Sequence, residues 1–222
     1  MKRVSIAIFT SFALILALPA GSLATLTEVG QIPATTTPPS TPSCPGSPCL
    51  AVSRTTGFQV KVGTTRNLVT VPRNGKIVAW TIVLGKPNAK QIKFFDTNEG
   101  GVSTAGIAIL RPQKRPNLSY MLVSQSPVMK LEPYFGMTTQ FPLDTSLTVK
   151  KGDVVALTVP SWAPALALGF PNNTSWRASR SKAQCANTGT QTAHTRTASV
   201  IQYYCLYRTA RLTYSATLIS TP

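Results

Sequence analysis

The sequence predicts an all-β protein: an antiparallel two-sheet sandwich, jelly-roll-like, built as a single domain. Three observations carry that expectation. Short runs rich in β-branched and aromatic residues recur from Gly57 onward. Turn formers separate them, and 18 prolines are spread over 222 residues. No segment holds a helical hydrophobic period over three turns with caps at its ends.

Residues 1–24, MKRVSIAIFTSFALILALPAGSLA, read as a signal peptide. Lys2 and Arg3 make a positive start, Val4 to Leu18 form an uncharged apolar core, and Ser22 and Ala24 are the small residues a signal peptidase needs. The apolar run is shorter than the roughly 20 residues of a membrane span. Cleavage after Ala24 is expected, giving a secreted, extracellular protein. No Cys follows closely enough to accept a lipid and no apolar tail closes the chain. The expected product therefore carries no transmembrane segment, and only non-covalent contacts would hold it at a cell surface. Residues 25–43 are expected to be a disordered spacer, because PATTTPPSTPS (Pro33 to Ser43) favours extended polyproline geometry and has little to bury. Its Thr and Pro are also suited to O-glycosylation.

The domain is expected over 44–222. In GFQVKVG, Phe58, Val60 and Val62 alternate; KIVAWTIVL (Lys76 to Leu84) is bracketed by Gly75 and Gly85. Further strands are expected at Gln91–Phe95, Gly106–Leu110, Leu118–Ser124, Ser146–Val149, Asp153–Val159, Val200–Tyr207 and Arg211–Ile219. Pro160 and Pro164 forbid a continuous helix in the apolar stretch Val154 to Phe170. It is expected as a strand followed by an extended loop carrying Trp162.

LTVKKGDVVALTV (Leu147 to Val159) is similar to the strand–turn–strand of jelly-roll sandwiches, carbohydrate-binding modules among them. CPGSPC (Cys44 to Cys49), GKIVAWTIVLGKP (Gly75 to Pro87), the Phe141 to Pro164 stretch and ARLTYSATLI (Ala210 to Ile219) together resemble a set of uncharacterised secreted bacterial β-sandwich proteins. The likeness spans about Cys44 to Ile219. It implies a fold and a secreted habit, and it brings no functional residues with it.

Four cysteines allow three pairings, and an oxidising compartment makes disulfides the expectation. Cys44 and Cys49 flank a Pro-Gly turn that can bring them together, which leaves Cys185 to pair with Cys205. A four-cysteine zinc site is the rival, but only the first pair has anything like knuckle spacing. No C-x-x-C suggests redox work.

Lys and Arg number 22 against 6 acidic residues, a net charge of +16, while only 13% of residues are charged. That balance excludes a disordered basic tail and suits either anionic partners or simple solubility, since no block of five or six like charges marks a dedicated patch. No nucleic-acid recognition signature accompanies it.

No catalytic constellation emerges. The single histidine, His194, sits in a Thr- and Gln-rich loop and is expected to be exposed. No G-x-S-x-G, H-E-x-x-H or phosphate-binding Gly loop occurs. Asp96 and Glu99 are assigned to a turn, FFDTNEGG, whose oxygens are hard but too sparse for a calcium loop. Asp153 is assigned to a hairpin turn. Glu132 and Asp144 are the only carboxylates left for a hydrolase. No cofactor or metal is expected.

Binding is the leading expectation. Trp162 and Trp176 lie in loop-like contexts, PSWAP and NTSWRAS, where their rings could stack on sugars. Arg177, Arg180 and Lys182 stand ready to meet hydroxyls or acidic groups; the competing assignment for each Trp is the edge of the core. The expected function is a secreted, non-catalytic binding module for anionic or neutral polysaccharide of the cell envelope or surroundings. The alternatives are a cell-surface structural or assembly protein that binds other proteins, and a hydrolase. The ligand, strand order and oligomeric state lie beyond the sequence.

Overall fold

The structure, a computed structural model, describes residues 24–33, 37–40, 42–185 and 191–220. The expected signal peptide, Ala24 apart, lies outside the described residues, and so do 34–36 and 41 of the expected spacer. Sixteen elements follow in order: β1 (Leu26–Val29), β2 (Val52–Val62), β3 (Thr65–Arg66), β4 (Gly75–Val83), α1 (Ala89–Asn98), β5 (Thr104–Pro112), β6 (Ser119–Gln125), β7 (Met129–Lys130), β8 (Thr138–Val149), β9 (Val154–Ala163), β10 (Leu166–Leu168), β11 (Ser175–Ala178), β12 (Val200–Gln202), β13 (Cys205–Arg208), β14 (Ala210–Leu212) and β15 (Tyr214–Ser220). Short 3-10 turns cover Glu132–Tyr134 and Lys182–Gln184.

The protein is all-β and antiparallel. One sheet runs β1-β15-β4-β8, a two-stranded ribbon pairs β10 with β14, and a larger sheet runs β12-β6-β5-β9-β2-β11-β13, with β3 and β7 attached to β2 and β5. The larger sheet is curled. Ile77, Trp80 and Ile82 of β4 and Tyr214, Ala216 and Leu218 of β15 enter one core with Ile107, Ile109 and Leu157 of the larger sheet. Tyr214 ties the two layers together, donating its hydroxyl to the Val155 carbonyl at 2.8 Å. Burial holds that phenol protonated, its pKa pushed far above the ordinary value.

Residues 105–110 of β5 and 154–159 of β9 are buried without a break. Such a run marks a strand covered on both faces. The loop after residue 190 is fastened to β2, where the Gln191 amide donates to Ser53 O and the His194 N–H to Thr56 Oγ1, both at 2.9 Å.

Three expectations are corrected. Gln91–Phe95 is helical, not a strand. Asn88 accepts from the Gln91 N–H at 2.9 Å while Gln91 accepts from the Asn88 N–H at 3.0 Å, a reciprocal cap that starts α1. Ten residues are too few to show a three-turn period, and Gly100 and Gly101 (φ +92 each) end it. Second, part of 25–43 belongs to the fold: β1 pairs with β15, Ser40 bridges Ala167, and the Ser40 carbonyl passes so close to Gly85 that a Cβ there would lie 1.4 Å from it. Third, the expected strand Val200–Tyr207 is interrupted at Tyr203 and Tyr204.

Both expected disulfides are present, Cys44–Cys49 and Cys185–Cys205. Asp153 caps its turn through the Lys150 N–H, as expected, and also takes a two-pronged bond from Arg111 at 2.8 and 2.9 Å. That bond raises the Arg111 pKa.

Trp162 fastens α1 to β9. Its ring stacks on Phe95 at 4.6 Å, and its N–H donates to Asp96 Oδ1 at 2.9 Å and Gly101 O at 3.0 Å. Trp162→Ala should therefore lower unfolding stability by about 3–5 kcal/mol, read from urea unfolding followed by circular dichroism. A loss below about 1 kcal/mol would show that this cluster does not hold the helix.

Candidate functional site

β11 lies between β2 and β13, with Trp176 opposite Tyr207 and Ala178 opposite Cys205. Directly paired residues share a face, so Trp176 and Tyr207 meet; their rings are 4.8 Å apart and inclined by 31°. Beneath them Gly57 of β2 lets the indole approach. A Cβ at Gly57 would sit 2.9 Å from two Trp176 ring carbons, with the Arg177 carbonyl at 3.0 Å. The indole is thus held between a bare backbone and a phenol ring.

Beside this pair is a cavity of about 260 Å³, lined in part by Trp176, Tyr207, Arg180, Arg208, Gln191 and Glu99. Arg180 follows β11 and folds back over Tyr207. Its Nη1 donates a short hydrogen bond to the Tyr207 hydroxyl, and its guanidinium carbon lies 5.4 Å from the ring centroid. The side chain is 6% exposed. Burial lowers its pKa, partly offset by Tyr207 and, more weakly, by the Glu99 carboxylate, yet a guanidinium remains charged at neutral pH. The Glu99 carboxylate is bound by Arg54 Nε at 3.0 Å. Among the described residues the only ion pairs are Arg54–Glu99 and Arg111–Asp153, so Arg180 is in none.

Three side chains that line the cavity carry a buried polar atom with no hydrogen-bond partner: Trp176 Nε1, Arg180 Nε and Gln191 Oε1. All three residues are at most 6% exposed. Each such atom costs about 1–3 kcal/mol relative to a satisfied one. Five buried side-chain atoms among the described residues lack partners, and three of the five belong to side chains that line this cavity, each atom itself closed to solvent.

The expected site residues divide. Trp176 and Arg180 come together at this cavity. Trp162 does not: it is wholly buried in the separate Phe95 cluster. Trp176 is 4% exposed, with Tyr207 over one part of its ring and Gly57 beneath, so neither indole offers an open stacking face. Arg177 points to the opposite side of β11, donates to the Tyr203 and Tyr204 carbonyls at 3.2 and 2.6 Å, and lines a different cavity beside Cys185–Cys205. Lys182 is exposed in its 3-10 turn and lines none of the described cavities. Tyr207, Gln191 and Arg208, which also line the cavity, were not among the expected site residues.

His194 is buried at 3% exposure, contrary to expectation. It lines a cavity of about 490 Å³ with Ser199, and its Nε2 lies 2.9 Å from Ser199 Oγ. The pair is not a nucleophile and its base. Ser199 Oγ gives its proton to the Arg196 carbonyl at 2.5 Å, so the imidazole donates to the hydroxyl instead of accepting from it. Nδ1 faces the Tyr203 hydroxyl at 3.1 Å, and no carboxylate orients the ring. Glu132 and Asp144 are both exposed and line none of the described cavities.

No family model matches the chain, and neither the curated proteins nor the solved structures give a match.

Burial lowers the His194 pKa from its ordinary value of 6.5. The unfolded chain therefore binds a proton near pH 6.5 that the folded chain binds only at lower pH. Stability is full above that pH and falls as pH drops below it, by at most about 1.4 kcal/mol per unit for the one proton. Because His194 is the single histidine, urea unfolding between pH 7 and 5 should show this slope, and His194→Gln should flatten it. An unchanged slope in the variant would contradict the assignment.

Proposed function

We propose that this chain is a secreted, non-catalytic binding module that takes one unit of a polysaccharide in the cavity beside Trp176 and Tyr207, on a jelly-roll-like β-sandwich scaffold. The observation that carries the reading is a small cavity whose wall joins the Trp176–Tyr207 ring pair to the polar side chains of Arg180, Arg208 and Gln191. A ligand rich in hydroxyls suits that mixture of rings and hydrogen-bonding side chains. The rings contribute an apolar wall, and recognition comes through polar edges instead of an open stacking face. Two disulfides agree with an oxidising, extracellular setting, and no described helix is long and apolar enough to cross a membrane. The surplus of cations suits anionic polymers of the envelope or surroundings.

The hydrolase reading loses support from the polarity of the His194–Ser199 contact and from the exposure of Glu132 and Asp144. A surface-assembly role would draw on β8, the open edge of the four-stranded sheet, but Pro142 removes a donor from that edge.

Retention on immobilised neutral and acidic polysaccharides at about 0.15 M salt, near the physiological screening condition, tests the reading. We expect binding to at least one polymer that Trp176→Ala abolishes in a folded variant. No retention on any polymer, or retention untouched by that substitution, would contradict it.

A further inference from the structure

We propose that the end of the protein at which β4 and β9 begin and β5 and β8 finish is a docking face for a lipid bilayer with anionic headgroups. The topology gathers cations there. The β3–β4 loop carries Arg73, β4 opens with Gly75-Lys76, the β5–β6 turn carries Lys114 and Arg115, and the β8–β9 turn begins Lys150-Lys151. Contacts between these segments hold them at one end. The Lys151 N–H donates to Asn74 Oδ1 at 2.9 Å and the Val71 N–H to Asp153 O at 2.8 Å. Arg111, near the close of β5, clasps the Asp153 carboxylate and so ties the β5–β6 turn to the β8–β9 turn.

All six of these cations are exposed, and among the described residues none of their side chains is in a hydrogen bond or ion pair. The one carboxylate of these loops, Asp153, is buried and engaged by Arg111. The opposite end is mixed: α1 and its surroundings hold Lys90 and Lys93 together with Asp96, Glu99 and Glu132. A positive field therefore projects from one end of the molecule.

Two observations favour a bilayer over a polymeric anion. None of the six cations lines a described cavity, so no groove there grips a chain, whereas loop tips at one end can meet a plane. Leu26 of β1 pairs with Ile219 of β15, and Ile219 with Lys76 of β4. Residues in direct register share a face, so two apolar side chains, 71% and 36% exposed, stand beside a cation. A bilayer surface suits both, its phosphates meeting the cations and its acyl boundary the apolar pair. A water-soluble polyanion offers Leu26 nothing. Glu28, two residues along β1 from Leu26, has its carboxylate bound by the Ser215 and Thr217 hydroxyls, and Asp144 lies further back along β8.

The test is co-sedimentation of the disulfide-bonded secreted chain, lacking its leader, with vesicles of phosphatidylcholine alone and of phosphatidylcholine mixed with phosphatidylglycerol. We expect binding to the mixed vesicles only, falling steeply as salt rises from about 0.1 to 1 M and the screening length drops from about 10 to 3 Å. Lys150→Gln combined with Lys151→Gln should weaken it about tenfold or more, since each cation near an anionic surface contributes about fivefold. Lys90→Gln combined with Lys93→Gln removes the same charge from exposed positions on α1 and should leave binding unchanged. Leu26→Ser should weaken binding while keeping its salt dependence. Equal losses in the two double variants would overturn the docking face in favour of net charge alone. Binding to neither vesicle, or equally to both, would also overturn it. Release by a soluble polyuronate, with Leu26→Ser having no effect, would overturn it in favour of a polymeric anion. Each of these outcomes leaves the polysaccharide reading of the Trp176 cavity standing, because none of the substituted residues lines that cavity.

Discussion

The antiparallel register of β11 on β13 is the constraint from which the candidate site follows. It sets Trp176 opposite Tyr207 and Ala178 opposite Cys205. A slip of one residue would turn Trp176 to the other face and bring Arg177 into its place. Two features oppose a slip. The Cys185–Cys205 disulfide ties the chain beyond β11 to the first residue of β13. On the other flank, Gly57 leaves a space on β2 that only a residue without a Cβ can provide, and the indole occupies it. Arg180 can then close over Tyr207 because the Tyr204 N–H holds the Arg180 carbonyl at 2.9 Å.

Two buried tryptophans show how differently the fold treats the same side chain. The Trp162 N–H has two acceptors within 3.0 Å and joins a helix to a strand. The Trp176 N–H has none, and neither do the atoms of Arg180 and Gln191 that share its cavity. A core built for stability alone would satisfy or replace such groups, since an apolar residue of similar shape avoids the desolvation cost.

Much of the scaffold was legible in the sequence. β4 and β15 are rich in β-branched and aromatic residues, and the Pro-Gly turn between Cys44 and Cys49 foretold both disulfides by leaving one remaining pair. α1 was missed because ten residues hold too few turns for a period to show. Its signal was there in Asn88 and Gln91, a capping pair three residues apart. β1 was missed because the Thr/Pro-rich stretch after it set the reading for the whole segment. Of the candidate site, polar neighbours pointed to Trp176 and Arg180, which line one cavity, but nothing local distinguishes Trp162, whose partners Phe95 and Asp96 come from a helix far along the chain. Tyr207 and Gln191 depend on long-range pairing, and a Gln in a Thr-rich loop carries no sign that it is buried. His194 was misread for the same reason: its cover comes from Tyr203 and Thr56.

The most direct test is to follow the three indole N–H signals by NMR while an acidic oligosaccharide is added. A ligand seated in the cavity against Trp176 should shift the Trp176 signal and leave those of Trp80 and Trp162 in place. A titration that shifts Trp162 but not Trp176, or binding that moves neither, would contradict the assignment of this cavity as the site.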